Sequence, residues 1–219
     1  MNKKQLFLII AVSISSILYS ANHDIPYTDN LSLMRAIWND DIEQATDYLP
    51  LLHTRTTFCP YGYLHEARSK NMAYFLIQKG ALESTLHQER LIMSAMHYEI
   101  QASVVQFYLE RNLASPTFID SNHFTALHKL AIQADNYIDT TECLKKASLL
   151  LEPLDTAAIK TLCKTHDLMC GRDVFDCIKQ AKESFGRIDD FELIHNESCC
   201  NQLHDYLKTK LYKKENTDE

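Results

Sequence analysis

Apolar residues along this chain return every three or four positions, and the short helices that this spacing predicts come in pairs. Leu33, Leu64, Ile92 and Leu127 hold equivalent places in successive pairs, at separations of 31, 28 and 35 residues. One such pair cannot bury its apolar side alone, so neighbouring pairs must stack and share a core. The helical signal covers 33–37, 42–49, 72–78, 91–96, 104–109, 126–132 and 144–151, with breaks at or near Pro50, Pro60, Gly80, Pro116 and Pro153. Strand-like alternation is absent, so the expected class is all-α.

The residues inside the repeat carry more. Tyr63-Leu64-His65-Glu66-Ala67 and Thr125-Ala126-Leu127-His128-Lys129-Leu130-Ala131 each open a first helix. Among the second helices, the one beginning Asn71-Met72-Ala73 runs into Gly80, and the one beginning Val104-Val105-Gln106 runs into Asn112 at the corresponding place. Both fit the left-handed turn that Gly, and less readily Asn, allows at a helix C-terminus. Leu33, Ala36 and Ile37, followed by a short Asn39-Asp40 turn, read as a first repeat.

These strings resemble the ankyrin-repeat family, the first two through its T-P-L-H-x-A signature and the others through its second helix and glycine cap. The resemblance implies an ankyrin-type helix-pair repeat solenoid of about four repeats over residues 30–154, in a family that mediates protein contacts rather than catalysis. Gly171-Arg172-Asp173-Val174-Phe175-Asp176 resembles the family's late G-x-T-x-L-D pattern, with Asp173 in place of Thr. Residues 155–207 are therefore either a degenerate repeat or a separate helical cap, and 208–219 form a charged tail. Thr125 is expected to cap its helix, and His65 and His128 to hydrogen-bond neighbouring backbone. In the family, the tips before the first helices help to form a concave binding face. Tyr61, Tyr63, Phe118, Asn122 and His123 stand at those tips and are the candidate partner-binding residues, since exposed aromatic rings bury much area with little entropy loss.

At the N-terminus, Met1-Asn2-Lys3-Lys4 leads into an uncharged apolar stretch over 6–18 that ends in Ser20-Ala21, the layout of a secretory signal peptide. Ser13, Ser15 and Ser16 dilute it, whereas a membrane span wants roughly 20 strongly apolar residues. Residues 1–21 are thus expected to be cleaved, leaving a secreted or periplasmic, monomeric protein with no stable membrane association. The mature chain would carry 20 basic and 29 acidic side chains, a net charge of −9, which repels phosphate backbones and argues against nucleic acid as a partner.

Cys143, Cys163, Cys170, Cys177, Cys199 and Cys200 crowd the C-terminal third. With an export signal they read first as disulfides that stabilise a helical C-terminal cap, although six cysteines allow 15 pairings. Cys163, His166 and Cys170, and His195, Cys199, Cys200 and His204, have helical spacings. Neither set has the paired C-x-x-C spacing of a strong zinc site, so no metal or cofactor is expected. G-x-S-x-G, H-E-x-x-H and phosphate-cradling glycine loops are missing, and an enzyme is not expected. The expected function is that of an exported repeat protein binding another, unidentified protein of a host or of the cell envelope through its concave repeat surface. The alternative is an envelope redox or metal-handling protein that uses the C-terminal Cys/His cluster.

Overall fold

The computed structural model describes residues 27–54, 59–137, 139–184 and 193–212. The expected signal segment, 1–21, and the end of the charged tail, 213–219, lie outside the described residues. The α-helices are α1 (Tyr27–Trp38), α2 (Ile42–Asp47), α3 (Lys70–Gln78), α4 (Ala81–Ser84), α5 (Leu91–Ser94), α6 (Ala102–Glu110), α7 (Ala126–Gln133), α8 (Thr140–Leu151), α9 (Thr156–Lys164), α10 (Val174–Ser184) and α11 (Leu193–Tyr212). Short 3-10 turns at Leu49–Leu51, Tyr63–Glu66, Gln88–Arg90 and Ala134–Asn136 complete them. Among the described residues the only β pairing is an isolated bridge between Ile119 and Thr125, so the chain is all-α.

The elements stack in chain order as two rows. In the first row α1 touches the Tyr63–Glu66 turn, which touches α5, which touches α7, which packs against α10. In the second row α3 packs on α6, α6 on α8 and α8 on α11. The buried residues form one continuous core from Leu33 to Leu207. The C-terminal part thus continues both rows, α10 after α7 and α11 after α8, with α9 set against α10 and α11. Helix α11 also carries on through residues 208–212, the first part of the expected tail.

Local chemistry explains the helix ends. Gly80 takes φ 88° and Asn112 takes φ 53°, the left-handed turn expected after the second helices. Asp40 does the same at φ 58° between α1 and α2, where Asp41 then caps α2 by accepting from the Gln44 N–H at 2.9 Å. Thr125 caps α7 by accepting from the His128 N–H, while the His128 ring returns a bond to the Thr125 N–H. Asp173 repeats this geometry one layer later: its carboxylate accepts from the Asp176 N–H at 2.9 Å, and the Asp176 carboxylate faces the Asp173 N–H. The Thr-to-Asp change at that place therefore keeps the cap, since either side chain supplies the required oxygen.

The first-row element of the second layer is a 3-10 turn, Tyr63–Glu66, rather than the expected helix, and that of the third, Leu91–Ser94, stops two residues short of the expected 91–96. Ser69 starts α3 by accepting from the Met72 N–H at 3.0 Å, and Ala67 is already extended. Only one 3-10 turn fits between Gly62 and that cap.

Candidate functional site

The first-row elements and the turns that precede them line a groove of about 670 Å³. Two arginines cross it in the same way. Arg68 lies over the Trp38 ring at 5.2 Å and donates to Glu99 at 2.6 Å. Arg90 lies over the Tyr61 ring at 5.4 Å and donates to Asp120 at 3.0 Å. Each guanidinium thus joins an aromatic of an earlier layer to a carboxylate of a later one. The Trp38 N–H donates in turn to Glu66 at 3.1 Å. Planar guanidinium suits both stacking and carboxylate pairing, which Lys would do less well.

Behind this surface, the two signature histidines hold the layers together. His65 Nε2–H donates to the Leu86 carbonyl at 3.0 Å, which leaves Nδ1 to accept from the Ser94 hydroxyl at 2.8 Å. His128 Nε2–H donates to the Arg172 carbonyl at 3.3 Å, and its Nδ1 accepts from the Thr125 hydroxyl at 2.8 Å. Both rings are used up by neutral-state bonds, and burial holds both below the ordinary histidine pKa. They are structural, as the sequence leads one to expect.

The turns at the rim are tied to one another and to their own backbone. Asp120 Oδ1 accepts from the N–H groups of Asn122 and Phe124, at 2.9 and 2.8 Å. Asp167 does the same job in the next turn, accepting from the N–H groups of Cys170 at 2.6 Å and Arg172 at 3.3 Å. Burial pushes the Asp167 carboxyl up, but those bonds and the Arg172 guanidinium hold it below its usual value. The two turns are bridged by the Leu168 N–H to the Asn122 carbonyl at 2.9 Å. This fixed turn presents Leu168 and Met169, 63% and 80% exposed, the most exposed large apolar side chains among the described residues.

Of the candidate partner-binding residues, Tyr61 and Asn122 line the groove, joined by Phe124 and Met169. Tyr63 is a correction: it is 1% exposed, and its hydroxyl donates to Asn30 at 2.8 Å, so it belongs to the core. Gly62, at φ 102°, turns the chain between Tyr61 and the 3-10 turn that begins at Tyr63, so Tyr61 faces outward and Tyr63 inward. Phe118 is half-buried against the core, and His123 is exposed on its tip at φ 58°; neither lines the groove. Sequence reasoning missed Arg68, Arg90, Glu99 and Asp120; the available signal was their spacing from their partners, since Trp38, Arg68 and Glu99 follow at 30 and 31 residues and Tyr61, Arg90 and Asp120 at 29 and 30. It also missed Lys129, which sits in the groove beside His97 and whose pKa burial lowers.

The C-terminal cysteines do not gather into one centre. Helix α9 ends at Lys164, and Thr165 is extended, so Cys163, His166 and Cys170 do not share a helical stripe. The His195 side chain lies outside the described residues, while His204 meets the Phe175 ring edge-on at 5.6 Å. No group of three or more His, Cys, Asp or Glu among the described residues could hold a metal ion. Cys163 and Cys177 are buried thiols whose pKa burial pushes up to about 12 and about 11, and Cys170 alone is exposed. Bonded sulfurs stand about 2.05 Å apart; the nearest cysteine pair is at 3.5 Å.

No protein-family model matches the chain, and no curated protein or solved structure matches it either. Among the described residues, no helix is long and apolar enough to cross a membrane.

Proposed function

We propose that this chain is an exported ankyrin-type repeat protein that binds another protein through the groove formed by its first-row elements and their turns. The observation that carries this reading is the groove itself. It runs across successive layers, and beside its two satisfied arginine ladders lie apolar contact points, Tyr61, Phe124 and Met169, with Lys129 among them. Rigidly held aromatic and apolar side chains around a few polar groups are the composition of a protein-recognition surface. A partner of a host cell or of the envelope fits the export reading of residues 1–21. Of the two histidines in the groove, His65 is committed to structural bonds on both ring nitrogens.

The test uses the full chain as bait for a displayed peptide library, followed by affinity measurement of the enriched binders. Met169→Asp and Lys129→Glu alter the groove at positions outside the core. We expect each to weaken binding on the order of 10-fold or more, as removal of an interface anchor does. Binders indifferent to both changes would place recognition elsewhere and overturn the reading.

A further inference from the structure

We propose that Cys143 and Cys199 join in an intramolecular disulfide that fastens α11 to α8 when the chain folds in an oxidising compartment. Neither cysteine is solvent-exposed, and the two helices that carry them pack against each other. Their thiols share a hydrogen bond. The nearest cysteine approach, 3.5 Å, leaves no room for an intervening atom. A bonded separation of about 2.05 Å brings the two sulfurs closer still. Cys200, the next residue of α11, points about 100° away around the helix and cannot take the same place. Of the 15 pairings open to six cysteines, the packing thus keeps the three that contain this bond.

Once α11 has docked, both sulfurs are closed to reagents, so exchange begins before docking. The Cys199 thiolate attacks one sulfur of a low-molecular-weight disulfide, its S–S bond breaks, and one thiolate leaves. As α11 approaches, Cys143 gives up its proton to water before the packing closes over it; its thiolate attacks the Cys199 sulfur and displaces the second small thiolate. Two protein thiols are oxidised, one small disulfide is reduced to two thiols, and the two protons end on the departing thiolates.

The proposal stands apart from the groove reading and is tested separately. The full chain is refolded with oxidised and reduced glutathione, blocked, and digested with trypsin without reductant. The expected product links peptide 130–145, holding Cys143, to peptide 188–208, holding Cys199 and Cys200. It should persist in Cys200→Ser and vanish in Cys199→Ser and Cys143→Ser. Should a variant fail to fold, the wild-type protein suffices: reductant is expected to lower its Tm by about 10 °C. Absence of the linked peptide, its loss in Cys200→Ser with survival in Cys199→Ser, or a Tm indifferent to reductant would overturn the proposal.

Discussion

Lys146 shows how one residue's role depends on where its helix packs. It is fully buried in α8, donating from Nζ to the His97 carbonyl at 2.7 Å and to the Tyr137 hydroxyl at 2.9 Å, and Tyr137 passes the bond on to the Met96 carbonyl. The chain of bonds ties the third layer to the fourth. Burial pulls the Lys146 pKa down to about 7. The unfolded side chain titrates near 10.4, so between the two values the unfolded state binds the extra proton. Stability from this group is therefore full above about pH 10.4 and is lost as pH falls toward 7. Lys146→Met removes that titration. We expect the stability of the wild type relative to this variant to rise by on the order of a few kcal/mol between pH 7 and 10, measured by urea unfolding at each pH. A difference that stays flat over that range would show that Lys146 is charged and satisfied when folded. The sequence offered one hint, because Lys146 falls on the same helical stripe as Cys143, Ala147 and Leu150, whereas Lys145 does not.

At the scale of elements, capping and turn residues set where each helix starts and stops. Most of these were legible in the sequence: Thr125, Gly80 and Asn112 act where their chemistry leads one to expect. Gly80 is the most constrained of them. A Cβ there would stand 3.3 Å from His53 Cε1, at φ 88°, so Gly80→Ala combines steric pressure with backbone strain. We expect it to cost about 1 kcal/mol or more, read as a lower urea midpoint at unchanged m-value. A neutral substitution would mean that the turn relaxes to another conformation. Element length was less legible. The same Leu-His pattern gives a full helix at α7 but a single 3-10 turn at Tyr63–Glu66, because the cap of the following helix comes sooner after Leu64.

For the whole molecule, stability is shared between neighbours, and the C-terminal part is needed to complete it. Helices α10 and α11 cover α7 and α8, and the residues buried in α8 include Cys143, Ala147, Leu150 and Leu151. A chain ending at Asp155 would leave those faces to water. We expect it to lose cooperative thermal unfolding or to aggregate, as followed by circular dichroism and light scattering. A soluble fragment with an unchanged transition would show that the earlier layers close their own core. The repeat spacing, the helical period and the cap residues fixed the class and the order of the elements, since these depend on interactions a few residues apart along the chain. What only the tertiary structure decided is which side chains meet across layers: Arg68 with Trp38 and Glu99, Arg90 with Tyr61 and Asp120, Cys143 with Cys199, and Tyr63 turned inward. Those contacts join residues far apart along the chain, and their geometry is set by how the layers stack rather than by any local periodicity.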